Sequence, residues 1–276
     1  MHRFEDFKQL LTIKRYSDNT ITSYIGLLTS FDHYIGDTLE IHRLDSKYLL
    51  QKIREIVFDK KYAYTTQKQL LSAIKLYMLE CHNTVVDLDT IRPKTPQRIL
   101  PEILSTKEVK QLLDGTQNIK HKAILATIYA LGLRSGELIN LKIKDLDGDR
   151  NTIFIQQAKG KRDRVLPFPE SLKPFLRTYY QKYKPKLYLF EGQKGRKYTS
   201  SSLRAVFNQA CKRAGIRKQV TLHSLRHAYA THLLDKGTDL RRIQSLLGHN
   251  NIKTTMIYTH VTQKNILDTQ SPLDFL

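Results

Sequence analysis

Thr152-Ile153-Phe154-Ile155-Gln156-Gln157-Ala158-Lys159-Gly160-Lys161-Arg162-Asp163-Arg164-Val165-Leu166-Pro167 is the stretch on which the fold turns. Thr152 to Gln156 alternates with the two-residue period of a strand. Gly160 and its polar neighbours make a turn, and Arg164 to Pro167 returns as a second strand. Both flanks read as helix. On the amino side, Ser105-Thr106-Lys107-Glu108 is a capping box, in which Ser105 and Glu108 each satisfy a backbone N–H of the first turn. Residues 118–132 then carry an apolar helix, Ile119 to Leu131, stopped by Gly132. On the carboxyl side the pattern is mostly helical from about 171 to 269. The expected architecture here is helical with one small antiparallel sheet.

Upstream, Ile91-Arg92-Pro93-Lys94-Thr95-Pro96-Gln97 holds two prolines, each pushing its predecessor out of helix, and Pro101 follows. Residues 91–101 read as an extended linker. Before it, Ser17 or Asp18 can cap a helix through which Ile21, Tyr24, Ile25, Leu28 and Phe31 recur at three- and four-residue spacing. Further helices are expected from about Ser46 to Val57 and from Tyr64 to Leu79. The predicted organisation is an all-α domain over 1–90, the linker, and an α+β domain over 102–276.

Charge separates the two parts. Residues 1–95 hold 14 Lys/Arg against 12 Asp/Glu, a net of +2; residues 96–276 hold 32 against 14, a net of +18. The whole chain of 276 residues carries +20, more than solubility needs, and this implies a polyanionic partner. A 40% hydrophobic share with 15 Tyr and 10 Phe supports a real core and excludes wholesale disorder. Two cysteines, Cys81 and Cys211, cannot build a disulfide framework or a zinc ribbon, and a reduced cytosolic protein is expected. No apolar run approaches the ~18 residues of a membrane span, and Met1 to Leu10 is acidic and amphipathic, unlike a signal peptide.

Taken singly, the polar candidates have ordinary explanations. Arg134 in Leu133-Arg134-Ser135-Gly136-Glu137 could be a surface ion pair, and Lys159 a solvated turn residue. His223, Arg226 and His227 share a helix face at i, i+3 and i+4, as structural clusters do. His249 follows Gly248 at a helix end, and Tyr258 is one of many tyrosines.

Their order and spacing set them apart. Leu131-Gly132-Leu133-Arg134-Ser135-Gly136-Glu137-Leu138 is followed 25 residues after the arginine by Lys159. His223-x-x-Arg226-His227 and Leu247-Gly248-His249 come next, and Tyr258 lies nine residues after that histidine. This series resembles the tyrosine recombinase (phage integrase) family along nearly the whole chain. The run Tyr16-Ser17-x-Asn19-Thr20-Ile21-x-x-Tyr24 is similar to that family's amino-terminal core-binding domain, and the size and layout resemble its Xer branch.

The resemblance implies a chemistry. A phosphodiester under attack gathers charge on its equatorial oxygens, and two permanently charged guanidiniums can fork onto them. The family assigns that task to Arg134 and Arg226. It places His223 and His249 as phosphate hydrogen-bond donors, with His223 also a proton acceptor from the nucleophile. The hairpin lysine, Lys159 with Lys161 as competitor, would protonate the leaving 5′-oxygen. Tyr258 would attack phosphorus and hold the DNA as a 3′-phosphotyrosine, conserving the bond energy so that no ATP is needed. Glu137 would orient the basic residues. His227 and His232 read as packing residues.

No cofactor or metal is called for. His223 and His227 have zinc-helix spacing, but Ser224 stands where a His-Glu-x-x-His motif needs its base, and no acidic cluster suits two magnesium ions. Remaining basic residues, among them Lys142, Lys144, Lys161, Arg162, Arg164, Arg196, Lys197, Lys218, Arg204, Arg241 and Arg242, are expected to neutralise DNA phosphates. The segment 191–204 reads as a flexible loop entering a helix beside double-stranded DNA. In related recombinases the carboxy-terminal segment docks on a neighbouring subunit. Leu273 and Phe275 after Pro272 suit that contact, so a homotetramer or heterotetramer on two DNA sites is expected, without a membrane. Two other readings stand beside site-specific recombination: topoisomerase-like nicking and resealing of one duplex, and a catalytically silent DNA-binding relative.

Overall fold

A computed structural model describes residues 3–36, 39–96, 102–156 and 163–258. Contacts divide the chain into two compact units, Met1–Arg98 and Ile99–Leu276. Each has its own core.

The first unit holds helices α1 (Glu5–Ile13), α2 (Asp18–Ile35), α3 (Ser46–Asp59) and α4 (Tyr64–His82). Of the two candidate caps for α2, Ser17 is used: its hydroxyl accepts from the Thr20 N–H at 3.2 Å. Asp45 does the same for α3 through the Tyr48 N–H at 2.9 Å. Helices α3 and α4 run two and three residues beyond the sequence expectation. Asn83 stops α4 in the left-handed conformation, φ 48°, so the cap and not the loss of apolar pattern sets the end. Leu28, Phe31, Leu49, Ile53, Ile56, Leu70 and Ile74 fill the centre. The chain after α4 is tied back to it, since Gln67 donates to the Ile91 carbonyl at 2.8 Å.

The second unit is helical around one small sheet, as the hairpin reading implied. Its elements are α5 (Thr106–Asp114), α6 (Ile119–Leu131), α7 (Ser135–Asn140), β1 (Leu146–Asp147), β2 (Thr152–Ile155), β3 (Arg164–Pro167), α8 (Lys173–Tyr183), α9 (Ser200–Arg213), α10 (Leu222–Asp235) and α11 (Leu240–Leu247). The capping box of Ser105 and Glu108 is present. The strands pair antiparallel in the order β1-β2-β3, with Ile153 opposite Leu166 and Ile155 opposite Arg164. Two-residue β1 escapes any periodicity test. Lys159, Lys161 and Arg162, between β2 and β3 in sequence, lie outside the described residues, as does everything after Tyr258.

Helix α6 is buried nearly all round, Ala123 to Ile128 without a break, so it is the hub of this core. It ends at Gly132 in the left-handed conformation, φ 59°. A Cβ there would stand 2.4 Å from the Tyr229 ring, so the tight crossing onto α10 requires glycine. That crossing brings the end of α6 and the start of α7 against α10 and α11, where the polar candidates collect. The segment 191–204, expected to be a flexible loop entering a helix, does enter α9 at Ser200, and its loop part is pinned: Glu191 bridges Lys197, and Thr199 caps α9.

Candidate active site

The site is organised by one carboxylate. Glu137, in the first turn of α7, accepts from Arg134 Nη1 at 2.7 Å and from the Arg134 backbone N–H at 2.9 Å. Arg164 on β3 grips both carboxylate oxygens, at 3.0 and 2.9 Å. Arg226 on α10 approaches to 3.7 Å. Burial pushes the Glu137 carboxyl up, but the hydrogen bonds and charge of Arg164 and then Arg134 hold it down at about 2. One negative charge set among three positive ones leaves a local excess fit for an anion.

The carboxyl end of α11 completes the cluster. The Leu246 carbonyl accepts from Arg164 Nε at 2.8 Å, and the Leu247 carbonyl accepts from Arg226 at 2.6 Å and Arg134 at 3.4 Å. These last carbonyls carry the negative end of the helix dipole, so three guanidiniums can converge there. Gly248 releases the chain in the left-handed conformation, φ 63°.

Arg226 is fully buried, with a further donation to the Gly132 carbonyl at 2.7 Å. Burial, then the charge of Arg134, lowers its guanidinium to about 10, so it stays charged at neutral pH. Its Nη2 also meets His249 Nε2 at 3.0 Å. A guanidinium only donates, so His249 Nε2 accepts and Nδ1 carries the proton, which it gives to Thr255 Oγ1 at 2.9 Å. Burial and the neighbouring Arg226 hold this ring at about 4, hence neutral.

Tyr258, on a 3-10 turn over Met256–Tyr258, is 2% exposed. Burial raises its phenol above the ordinary value, outweighing Arg226 and Arg134, so the resting hydroxyl keeps its proton. That hydroxyl lies 3.1 Å from His227 Nδ1. His227 meets the His223 ring edge to face, with centroids 4.5 Å apart. His223 is held at about 4 by partial burial, then by His227, Arg226 and Arg134, although its ring still reaches solvent.

Arg134, Glu137, His223, Arg226, His249 and Tyr258 are thus brought together from α7, α10, α11 and the turn after it. Three residues differ from the sequence expectation. Arg164, expected to neutralise DNA phosphates, has a side chain only 8% exposed and committed to Glu137 and Leu246. His227, expected to be a packing residue, has its imidazole at the tyrosine hydroxyl. Lys218 is likewise engaged, donating to the Ile103 carbonyl and Glu108 at 2.8 and 2.7 Å. His232 packs away from the cluster, against the Tyr129 hydroxyl at 2.9 Å.

The exposed basic residues border two cavities. One of about 1050 Å³ has Arg241 and His249 in its wall, beside the arginine cluster. Another of about 760 Å³ is lined by Lys120, Lys194, Arg196 and Lys197, with Lys197 tied to Asn140 of α7 at 2.8 Å. Lys144, Arg204 and Arg242 are exposed, and Lys142 is half-buried. Among the described residues no group of three or more His, Cys, Asp or Glu could hold a metal ion, and no helix is long and apolar enough to cross a membrane.

The phage integrase family model matches residues 102–265. The tyrosine recombinase XerD of Oceanobacillus iheyensis is 34% identical across 97% of this chain and 96% of its own. The crystal structure of XerA recombinase is 29% identical, covers 95% of this chain and 94% of its own, and superposes with a TM-score of 0.56. A lambda integrase tetramer bound to a Holliday junction shares the fold, with a TM-score of 0.75 over 92% of this chain and 75% of its own, at 15% identity. The chain belongs to the phage integrase family. Its near-full-length relatives include XerD and XerC tyrosine recombinases, and the chain is a tyrosine recombinase, a DNA strand-exchange enzyme.

Proposed function

We propose that this enzyme is a site-specific recombinase that cuts and rejoins double-stranded DNA through a 3′-phosphotyrosine at Tyr258 and a four-way junction. The carrying observation is the Glu137 cluster, in which three guanidiniums converge and two of them, Arg226 and Arg134, act by their charge on the buried Tyr258 phenol. Arg134, the most exposed of the three, and Arg226 bind the scissile phosphate, with His223 and His249 beside them. Their fixed charges stabilise the negative charge that grows on the phosphoryl oxygens, without reorganisation at the moment of reaction. Lys159 protonates the departing 5′-oxygen, and Glu137 orients the arginines. This charge makes a metal ion unnecessary, and the covalent intermediate makes ATP unnecessary.

The remaining basic surface, including Arg196, Lys197, Arg204, Arg241 and Arg242, grips backbone phosphates, and the 1–90 domain adds a second DNA-binding arm across the 91–101 linker. Two DNA sites are held by a tetramer, homomeric or with a partner recombinase, in the cytoplasm on the nucleoid. The lambda integrase tetramer on a Holliday junction supports this assembly by its shared fold.

Covalent capture tests the reading. The protein is incubated with fragmented host DNA in EDTA, and denaturant-resistant adducts are sequenced, with Tyr258→Phe in parallel. Adducts that need Tyr258 and share one sequence are expected. Scattered sequences would indicate topoisomerase-like nicking. Magnesium-dependent cleavage indifferent to Tyr258→Phe would overturn the tyrosine mechanism.

A further inference from the structure

We propose that His227 is the general base of the reaction, the group that takes the proton from the Tyr258 hydroxyl as the tyrosine attacks phosphorus; this rests on Tyr258 being the nucleophile.

The geometry narrows the choice. A general base must lie within about 2.6–3.2 Å of the proton it removes, and His227 Nδ1 is 3.1 Å from the Tyr258 hydroxyl. His249 is committed on both ring nitrogens, accepting from Arg226 and donating to Thr255. His223 packs its ring against His227, 4.5 Å between centroids, and lies open to solvent. Among the described residues, the titratable and charged groups facing His227 are Arg226 and His223 on its own helix and Tyr258 from the closing turn.

The protonation states agree. The buried phenol keeps its proton at rest, so attack needs an acceptor. Burial, reinforced by Arg226, lowers the His227 imidazole, which is therefore neutral and able to accept at neutral pH. In the forward step the Tyr258 oxygen bonds to phosphorus and its proton passes to Nδ1. The phosphorus–O5′ bond breaks, and the 5′-oxygen leaves with the proton of the general acid, the role proposed for Lys159. Religation reverses each transfer: the 5′-hydroxyl attacks, and imidazolium returns its proton to the departing tyrosine. The incoming phosphate's negative charge steadies the imidazolium beside Arg226.

Histidine 227 is replaced as His227→Gln and His227→Asn, each with natural Tyr258 and with a fluorinated tyrosine at 258 whose phenol ionises near neutral pH. Adduct formation on fragmented host DNA in EDTA is followed in time, with DNA binding and the thermal midpoint as folding controls. A base contributes about 10²–10⁴-fold, so adduct formation should slow by at least about a hundredfold in both variants. The fluorinated tyrosine should restore most of the loss, because a nucleophile already ionised needs no base. His223→Gln, which keeps the base, should not be rescued. Variants within threefold of the parent would overturn the proposal, and so would a loss that the fluorinated tyrosine leaves untouched in folded, DNA-binding protein. If Tyr258→Phe still forms adducts, the nucleophile reading itself falls, an outcome distinct from either.

Discussion

The two halves of the active site are built differently. The arginine half is over-determined: Arg134, Arg164 and Arg226 come from three elements, yet each is fixed by Glu137 and by a carbonyl at the end of α11. The tyrosine half is built on a turn: Tyr258 sits on a 3-10 turn whose backbone N–H returns to the Thr255 carbonyl at 3.1 Å, and its hydroxyl lies 3.1 Å from His227 of α10. Fixed charge serves a phosphate best when it cannot relax, whereas a nucleophile must be delivered and later withdrawn. The shared ion-pair network lies where the transition state carries charge.

The largest perturbation should come from the shared carboxylate. Glu137→Leu leaves buried guanidiniums facing one another. Losing one partner of a buried ionic cluster costs about 3–5 kcal/mol, to be read by denaturant unfolding, with cleavage abolished. Tyr258→Phe should abolish cleavage with stability little changed, which sharpens the contrast between the halves.

Arg164→Leu comes next. It removes both forked bonds to Glu137 and should slow adduct formation by about a hundredfold, the scale of losing one preorganised electrostatic contact. The salt dependence of DNA binding should stay the same. A residue that met phosphate directly would instead lower the slope by about one, as is expected of exposed Arg204→Ala.

Gly132→Ala should destabilise by about 1–3 kcal/mol, because it places a Cβ against Tyr229 in a left-handed backbone and crowds the site. Thermal unfolding of the DNA-free enzyme reads this.

The last effect is a pH dependence. His249 and His223 are held at about 4 in the fold, below the ordinary histidine value of 6.5. Depressed groups bind protons better when unfolded, so stability should fall as pH drops from 6.5 towards 4. Glu137, held at about 2, adds a second loss as pH falls below 4.5. His249→Gln should lessen the slope in the first window, where His223 still contributes, and leave the second.

Much of this was legible in the chain itself. The hairpin, the capping box at Ser105, helix α6 and its glycine stop all follow local rules, and the order of Arg134, His223, Arg226, His249 and Tyr258 carries the family. Arg164 was misplaced although a signal existed. The alternation of β3 puts it on the inward face with Leu166, and a charge on that face must find a partner. Its partner, Glu137, stands 27 residues earlier, a distance that no local pattern spans. His227 shares a helix face with His223, so a role for either opened the question for both. Only the packing of the Tyr258 turn onto α10 decides which ring meets the hydroxyl. Strand β1 is two residues long, too short to show a period in the sequence, and pairs along β2.

The central claim is that the arginine cluster serves one covalent bond at Tyr258. Adducts captured on host DNA in EDTA can be digested with nuclease and protease and the nucleotide-bearing peptide sequenced by mass spectrometry. A phosphonucleotide on Tyr258 is predicted. Attachment to any other residue, or adducts that persist in Tyr258→Phe, would contradict the account.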